Sequence, residues 1–184
     1  MHKYAAEMAY RDGCMTHVKN GIYGEMFIAA MIAQAAVTDN IYSIVNAGLG
    51  VIPYTSRLYK QIELLMRDFQ KGMEYETCIN RIYDRYPITS LHNSVHTIPN
   101  ALIVVASLLY GGGDFTKTIG LAVLSGMDTD CNGATAGSVV GMINGAQKID
   151  RVWTEPLCDT LKTDITGYSD VKISEMAQRT MNFI

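Results

Sequence analysis

Apolar positions recur with a helical period almost from end to end of this chain. Tyr4, Met8 and Met15 mark a first amphipathic segment. Ile22 to Val37 is denser. Phe27, Met31 and Ala35 share a face there, and Ala29, Ala30 and Ala33 are small enough for close helix contact. Ser56 to Lys71 sets Leu58, Ile62, Leu65, Met66 and Phe69 on one side and its charges on the other, with Gly72 placed to end it. Glu74 to Tyr86 reads as a helix that stops before Pro87. Pro99 is expected to open a helix running to Tyr110, because proline is tolerated in a first turn. Asp114 can cap a helix over Phe115 to Leu124, and Ser174 to Phe183 reads as a short closing helix.

Ala101 to Tyr110 is apolar all round, so it belongs at the centre with other helices around it. The alternating runs and Asn-Gly turns of an all-β chain are missing. No repeat, linker or low-complexity segment interrupts the pattern. The expectation is one all-α domain over residues 1–184, built from about seven to nine helices.

Composition narrows the function classes. With 184 residues and 48 % hydrophobic content, the chain can bury a real core. A formal charge of -3 and no run of Lys or Arg give no electrostatic case for nucleic acid or an anionic membrane. Cys14, Cys78, Cys131 and Cys158 form no CxxC pair, so neither a zinc knuckle nor a disulfide framework is indicated. Scattered thiols fit a reducing cytoplasm. The N-terminal residues lack the apolar core of an export signal. The longest apolar run is well short of the roughly 20 residues that span a bilayer. A soluble cytoplasmic protein is expected.

The chemistry concentrates in GMDTDCNGATAGSVVG, Gly126 to Gly141. Asp128 and Asp130 stand two residues apart, and Gly126 permits the sharp turn that would aim both at one point. They precede a small-residue helix expected to start near Asn132. Two carboxylates repel unless neutralised, and a hard divalent cation (Mg²⁺, Mn²⁺ or Ca²⁺) would neutralise them. Spacing alone favours a plainer role, as N-cap and first-turn acids that complement the helix dipole.

The same stretch resembles the second metal-binding motif of the ADP-ribosylglycohydrolase family, in which a Gly-Gly-Asp-Thr-Asp-Thr run precedes a small-residue helix. Thr16 to Ala35 is similar to the family's histidine-glycine segment. Val95 to Phe115 is similar to its central helix and Gly-Asp turn, and Val152 to Leu161 to the tail of a bacterial branch. The resemblance implies an orthogonal multi-helix bundle with a binuclear Mg²⁺ or Mn²⁺ centre that hydrolyses the glycosidic bond of ADP-ribosylated proteins or small ADP-ribose conjugates. It makes Asp128 and Asp130 the catalytic and metal-ligating acids. Cys131 occupies the third metal position, where the family usually has threonine, and a thiol is a poor ligand for hard cations. Asn132 is a substitute ligand or substrate contact, and His17, Asn20 and Tyr23 fall on the substrate-side wall. His17 can equally be a capping or packed histidine. His96, Glu25 and Asp114 read as structural or surface groups, and the lone Trp153 as core or rim.

The resemblance covers the family's C-terminal half only. Its early Gly-Asp segment and Thr-Asp-Asp cluster have no counterpart here. The expectation is an incomplete bundle with too few ligands for two metals and weak or no hydrolysis alone. Exposure of Gly133 to Gly145 would then favour a homodimer or pairing with a missing N-terminal half. The alternative from a different class is a non-catalytic ADP-ribose-binding or nucleotide-binding protein.

Overall fold

A computed structural model of the chain describes residues 1–89 and 91–182. It forms two compact units, Met1–Ala146 and Gln147–Ile184, although the sequence shows no linker between them.

The first unit is all helical. It comprises α1 (His2–Gly13), α2 (Asn20–Ala35), α3 (Ile41–Leu49), α4 (Arg57–Gln70), α5 (Tyr75–Arg85), α6 (Leu91–Ser94), α7 (Thr97–Gly111), α8 (Phe115–Leu124) and α9 (Thr129–Asn144). α7 is the hub and touches α2, α3, α4, α5, α6, α8 and α9. Its run from Ala101 to Leu109 is wholly buried, as its apolar sequence requires. Phe27 and Met31 of α2, Ile44 and Val45 of α3, and Leu58 and Ile62 of α4 close the core on it, all at 0 % exposure.

Caps explain most boundaries. Ser56 and Asp114 accept from the amides of Tyr59 (3.2 Å) and Lys117 (2.7 Å), fixing the starts of α4 and α8. Gly72 and Gly112 lie in the left-handed region after α4 and α7, at φ +78° and +62°. α7 starts two residues before Pro99, because the His96 ring accepts from Ile98 N at 3.1 Å and proline needs no amide partner in a first turn.

Several expectations are corrected. α1 forms, but it buries Ala6, Ala9 and Gly13, while Tyr4, Met8 and Met15 are exposed. The small side gives the closer helix contact with α2. α3 was not anticipated, although Asn40 caps it through Ser43 N at 2.9 Å. α9 starts at Thr129, not near Asn132. Its Gly133 and Gly137 lie against Val123 and Ile119 of α8, so that side of the stripe is covered within the chain, while Ala134, Ser138 and Met142 on its other side are exposed.

The second unit holds α10 (Arg151–Thr154), a 3-10 turn (Glu155–Leu157), strands β1 (Thr160–Lys162) and β2 (Asp170–Lys172), and α11 (Ile173–Met181). The strands pair antiparallel, with Leu161 opposite Val171. Asp159 ties the hairpin to α11 by accepting from Ser174 N (2.8 Å) and Ser174 Oγ (2.6 Å). These bonds hold its carboxyl below the ordinary range. No described residue of this unit is buried, and Trp153 sits on α10 at 37 % exposure. The expected end of the closing helix at Phe183 lies outside the described residues. The described residues hold 11 α-helices rather than seven to nine; α6 and α10 are single turns of 4 residues each.

Candidate functional site

The acid pair lies where α8 gives way to α9. Ser125 ends α8, and the chain reverses through Gly126 at φ +73° and Met127 at φ +57°. A side chain at Gly126 would collide with the Tyr83 hydroxyl, so glycine is required by both conformation and space. Met127 carries its left-handed backbone without that freedom, a strain typical of sites whose surroundings over-determine them. Thr129 N bonds back to Met127 O at 3.1 Å and closes the turn.

Two sets of partners hold this loop. On the α5 side, Tyr83 OH donates to Ser125 O. Tyr75 OH donates to Leu121 O at 2.7 Å and meets Ser125 Oγ. Burial pushes both phenols above their usual range, so they remain donors. On the α7 side stands Asn100. Its Oδ1 accepts from Asp128 N at 3.2 Å and from Asn132 Nδ2 at 2.8 Å.

Asp128 occupies the N-cap position of α9, yet its side chain makes no capping bond. Asp130 falls in the first helical turn and is exposed. Ligand atoms of Asp128, Asp130 and Cys131 all lie within 4.8 Å of one another. The positive end of the 16-residue helix α9 favours anionic charge here. The neighbouring Asp128 carboxylate, then burial and the charge of Asp130, push the Cys131 thiol above the usual thiol range. It is therefore a protonated thiol rather than a thiolate. Asn132 is 2 % exposed, and its amide faces Asn100.

Beside the acids runs a cleft of about 150 Å³ between α2, α7 and α9. α9 lines it with Cys131, Asn132 and Thr135, and α7 with Thr97, Asn100, Ala101 and Val104. α2 contributes Gly24 and Ile28. Gly24 is what lets α2 approach this closely, since a methyl there would collide with Thr97 Cγ2.

The structure therefore brings Asp128, Asp130, Cys131 and Asn132 together. It places His17, Asn20 and Tyr23 differently. His17 is exposed on the turn before α2, bonded to Thr16 Oγ1 at 2.7 Å and packed over Gly21. Asn20 Oδ1 accepts from Leu58 N at 3.2 Å and so helps cap α4. Tyr23 packs on the core. α2 meets the cleft through Gly24 and Ile28 instead. Asn100, Tyr75, Tyr83 and Thr97 are site residues that the sequence alone did not single out. Asn100 and Thr97 lie within Val95 to Phe115, whose apolar pattern carries no clue to their roles.

No curated protein and no solved structure matches the chain. A family model described as ADP-ribosylglycohydrolase matches residues 2–182. With the helical fold and the acid loop in place, that match shows that the chain belongs to the ADP-ribosylglycohydrolase family.

Proposed function

We propose that this chain hydrolyses the glycosidic bond of an ADP-ribosylated substrate at the Asp128–Asp130 loop, with one divalent cation, Mg²⁺ or Mn²⁺, on the two carboxylates. Family membership supports glycohydrolase-type chemistry. The observation that carries the site is convergence: three ligand atoms within 4.8 Å of one another, beside a cleft that Cys131 and Asn132 also line.

The donor set fits one such ion rather than two. Two six-coordinate ions need far more oxygen than Asp128 and Asp130 supply, and the third neighbour is a thiol. A bound ion supplies positive charge that orients ribose hydroxyls and makes an attached water more acidic. The remaining work falls to the chain. The charge of Asp128 and Asp130 complements the oxocarbenium character that develops at the ribose carbon as its bond breaks. Asp130 is the more open of the two and is assigned to take the proton of the attacking water.

One observation favours a second reading, in which the chain binds ADP-ribose without cleaving it. Cys131 sets a soft thiol beside Asp128 and Asp130, where a hydroxyl would add an oxygen ligand for a hard cation. Calorimetric titration with ADP-ribose in Mn²⁺ and then in EDTA, beside Asp128→Ala, tests both. Metal-dependent binding that the variant loses is expected. Release of ADP-ribose from an ADP-ribosylated protein then separates hydrolysis from binding. Absence of binding in either buffer would remove both readings.

A further inference from the structure

The geometry points to Asn100 as the positioning residue of the acid loop: one side-chain amide that locks the Asp128 backbone and the Asn132 side chain to the junction of α6 and α7. This rests on the reading of the loop as the reaction centre.

The amide is saturated. Its Oδ1 takes Asp128 N–H and Asn132 Nδ2–H. Its Nδ2 gives one hydrogen to Ser94 O at 2.9 Å and one to His96 O at 3.0 Å. Two donors and two acceptors are the full capacity of an asparagine side chain. Only one orientation works, because the two carbonyls can only accept and the Asp128 amide can only donate. No other side chain of this size supplies that pattern. Aspartate lacks the donors, and leucine lacks everything.

Three consequences follow from these bonds. The loop enters Asp128 from a left-handed Met127, and the bond to Asp128 N–H is one of the restraints that hold it there. Asn132 is buried, so the amide that meets it also removes the cost of an unpaired polar group. Asn100 lines the cleft yet has no hydrogen-bonding capacity left for a ligand, so it acts on substrate only through Asp128 and Asn132.

The test uses the full chain labelled with ¹⁵N, as wild type, Asn100→Ala and Asn100→Asp. Amide exchange at Asp128 and the side-chain signals of Asn132 are read beside steady-state release of ADP-ribose in Mn²⁺. In Asn100→Ala, exchange at Asp128 is expected to rise roughly 5- to 10-fold, the factor of one ordinary hydrogen bond. kcat is expected to fall roughly 10- to 100-fold, with KM moving less than about threefold. Asn100→Asp keeps the acceptor, so protection at Asp128 is retained although the contacts to Ser94 and His96 go. Unmoved Asp128 and Asn132 signals in a folded Asn100→Ala overturn the assignment, and so does loss of protection in Asn100→Asp. An unchanged kcat, or a loss confined to KM, overturns it as well. A wild type with neither turnover nor metal-dependent ADP-ribose binding sinks the reading of the reaction centre instead, and the exchange data then decide the positioning role by themselves.

Discussion

At the scale of single residues, Cys131 separates what this loop can hold from what it would hold with an oxygen ligand. Its thiol, rather than a hydroxyl oxygen, is the third group whose ligand atom lies within 4.8 Å of the two carboxylates. Cys131→Thr replaces a soft donor with a hydroxyl suited to hard ions. Titration with Mn²⁺ is expected to tighten roughly tenfold, about 1.4 kcal/mol. Unchanged Mn²⁺ affinity would mean that the residue after Asp130 does not face the ion. The acid pair itself was legible in the sequence, because Asp128, Asp130 and a turn-permitting Gly126 are adjacent. Asn100 was not. It reaches Asp128 across 28 positions and Asn132 across 32, and an asparagine in the first turn of an apolar helix has no periodic signature.

At the scale of elements, the cleft exists because α2 and α7 cross at Gly24 and Thr97. Gly24→Ala puts a methyl on Thr97 Cγ2 and is expected to cost about 1–3 kcal/mol by urea unfolding. Thr97→Ser in the same chain removes that methyl's partner and should restore most of the loss, a coupling that independent sites would not show. The start of α7 carries a pH dependence. Burial, then His92 and Arg57, depress the His96 pKa, while Tyr86 stacks on its ring. The folded state therefore prefers neutral His96, whose Nδ1 must accept from Ile98 N. This contribution is fully present above the unfolded value near 6.5 and is lost as pH falls through the lower folded value. His96→Asn keeps a good cap without a titrating group, so its Tm should fall less than that of wild type between pH 7 and pH 5. The long helices were legible because their apolar stripes are deep: α4 buries Leu58, Ile62, Leu65 and Met66 as their spacing requires. α3 carried the same information in Asn40, Ile41, Ile44, Val45 and Leu49, but in fewer turns. α1 misled because its large apolar residues point outward and its alanines point in.

At the scale of the whole molecule, burial is distributed unequally between the two units. All the buried hydrophobic residues named for the core lie within Met1–Ala146. Gln147–Ile184 is held by a hairpin of two three-residue strands, the Asp159 bonds to Ser174 and an Arg179–Tyr168 contact, with no buried side chain among its described residues. Apolar periodicity cannot announce such a boundary, since Val152, Leu157, Leu161 and Ile173 give the second unit apolar positions that its structure leaves exposed. Area removed from water is the main favourable contribution to folding, and pieces below about 40 residues rarely bury enough of it by themselves. A chain ending at Ala146 should therefore unfold cooperatively, with a Tm within about 5 °C of the full chain. Residues 147–184 as an isolated peptide should show the circular dichroism of an unfolded chain. Limited proteolysis of the full protein should accordingly leave a resistant core ending close to Ala146. Loss of cooperative unfolding in the shortened chain would mean that the second unit contributes stability that its own exposed side chains do not reveal.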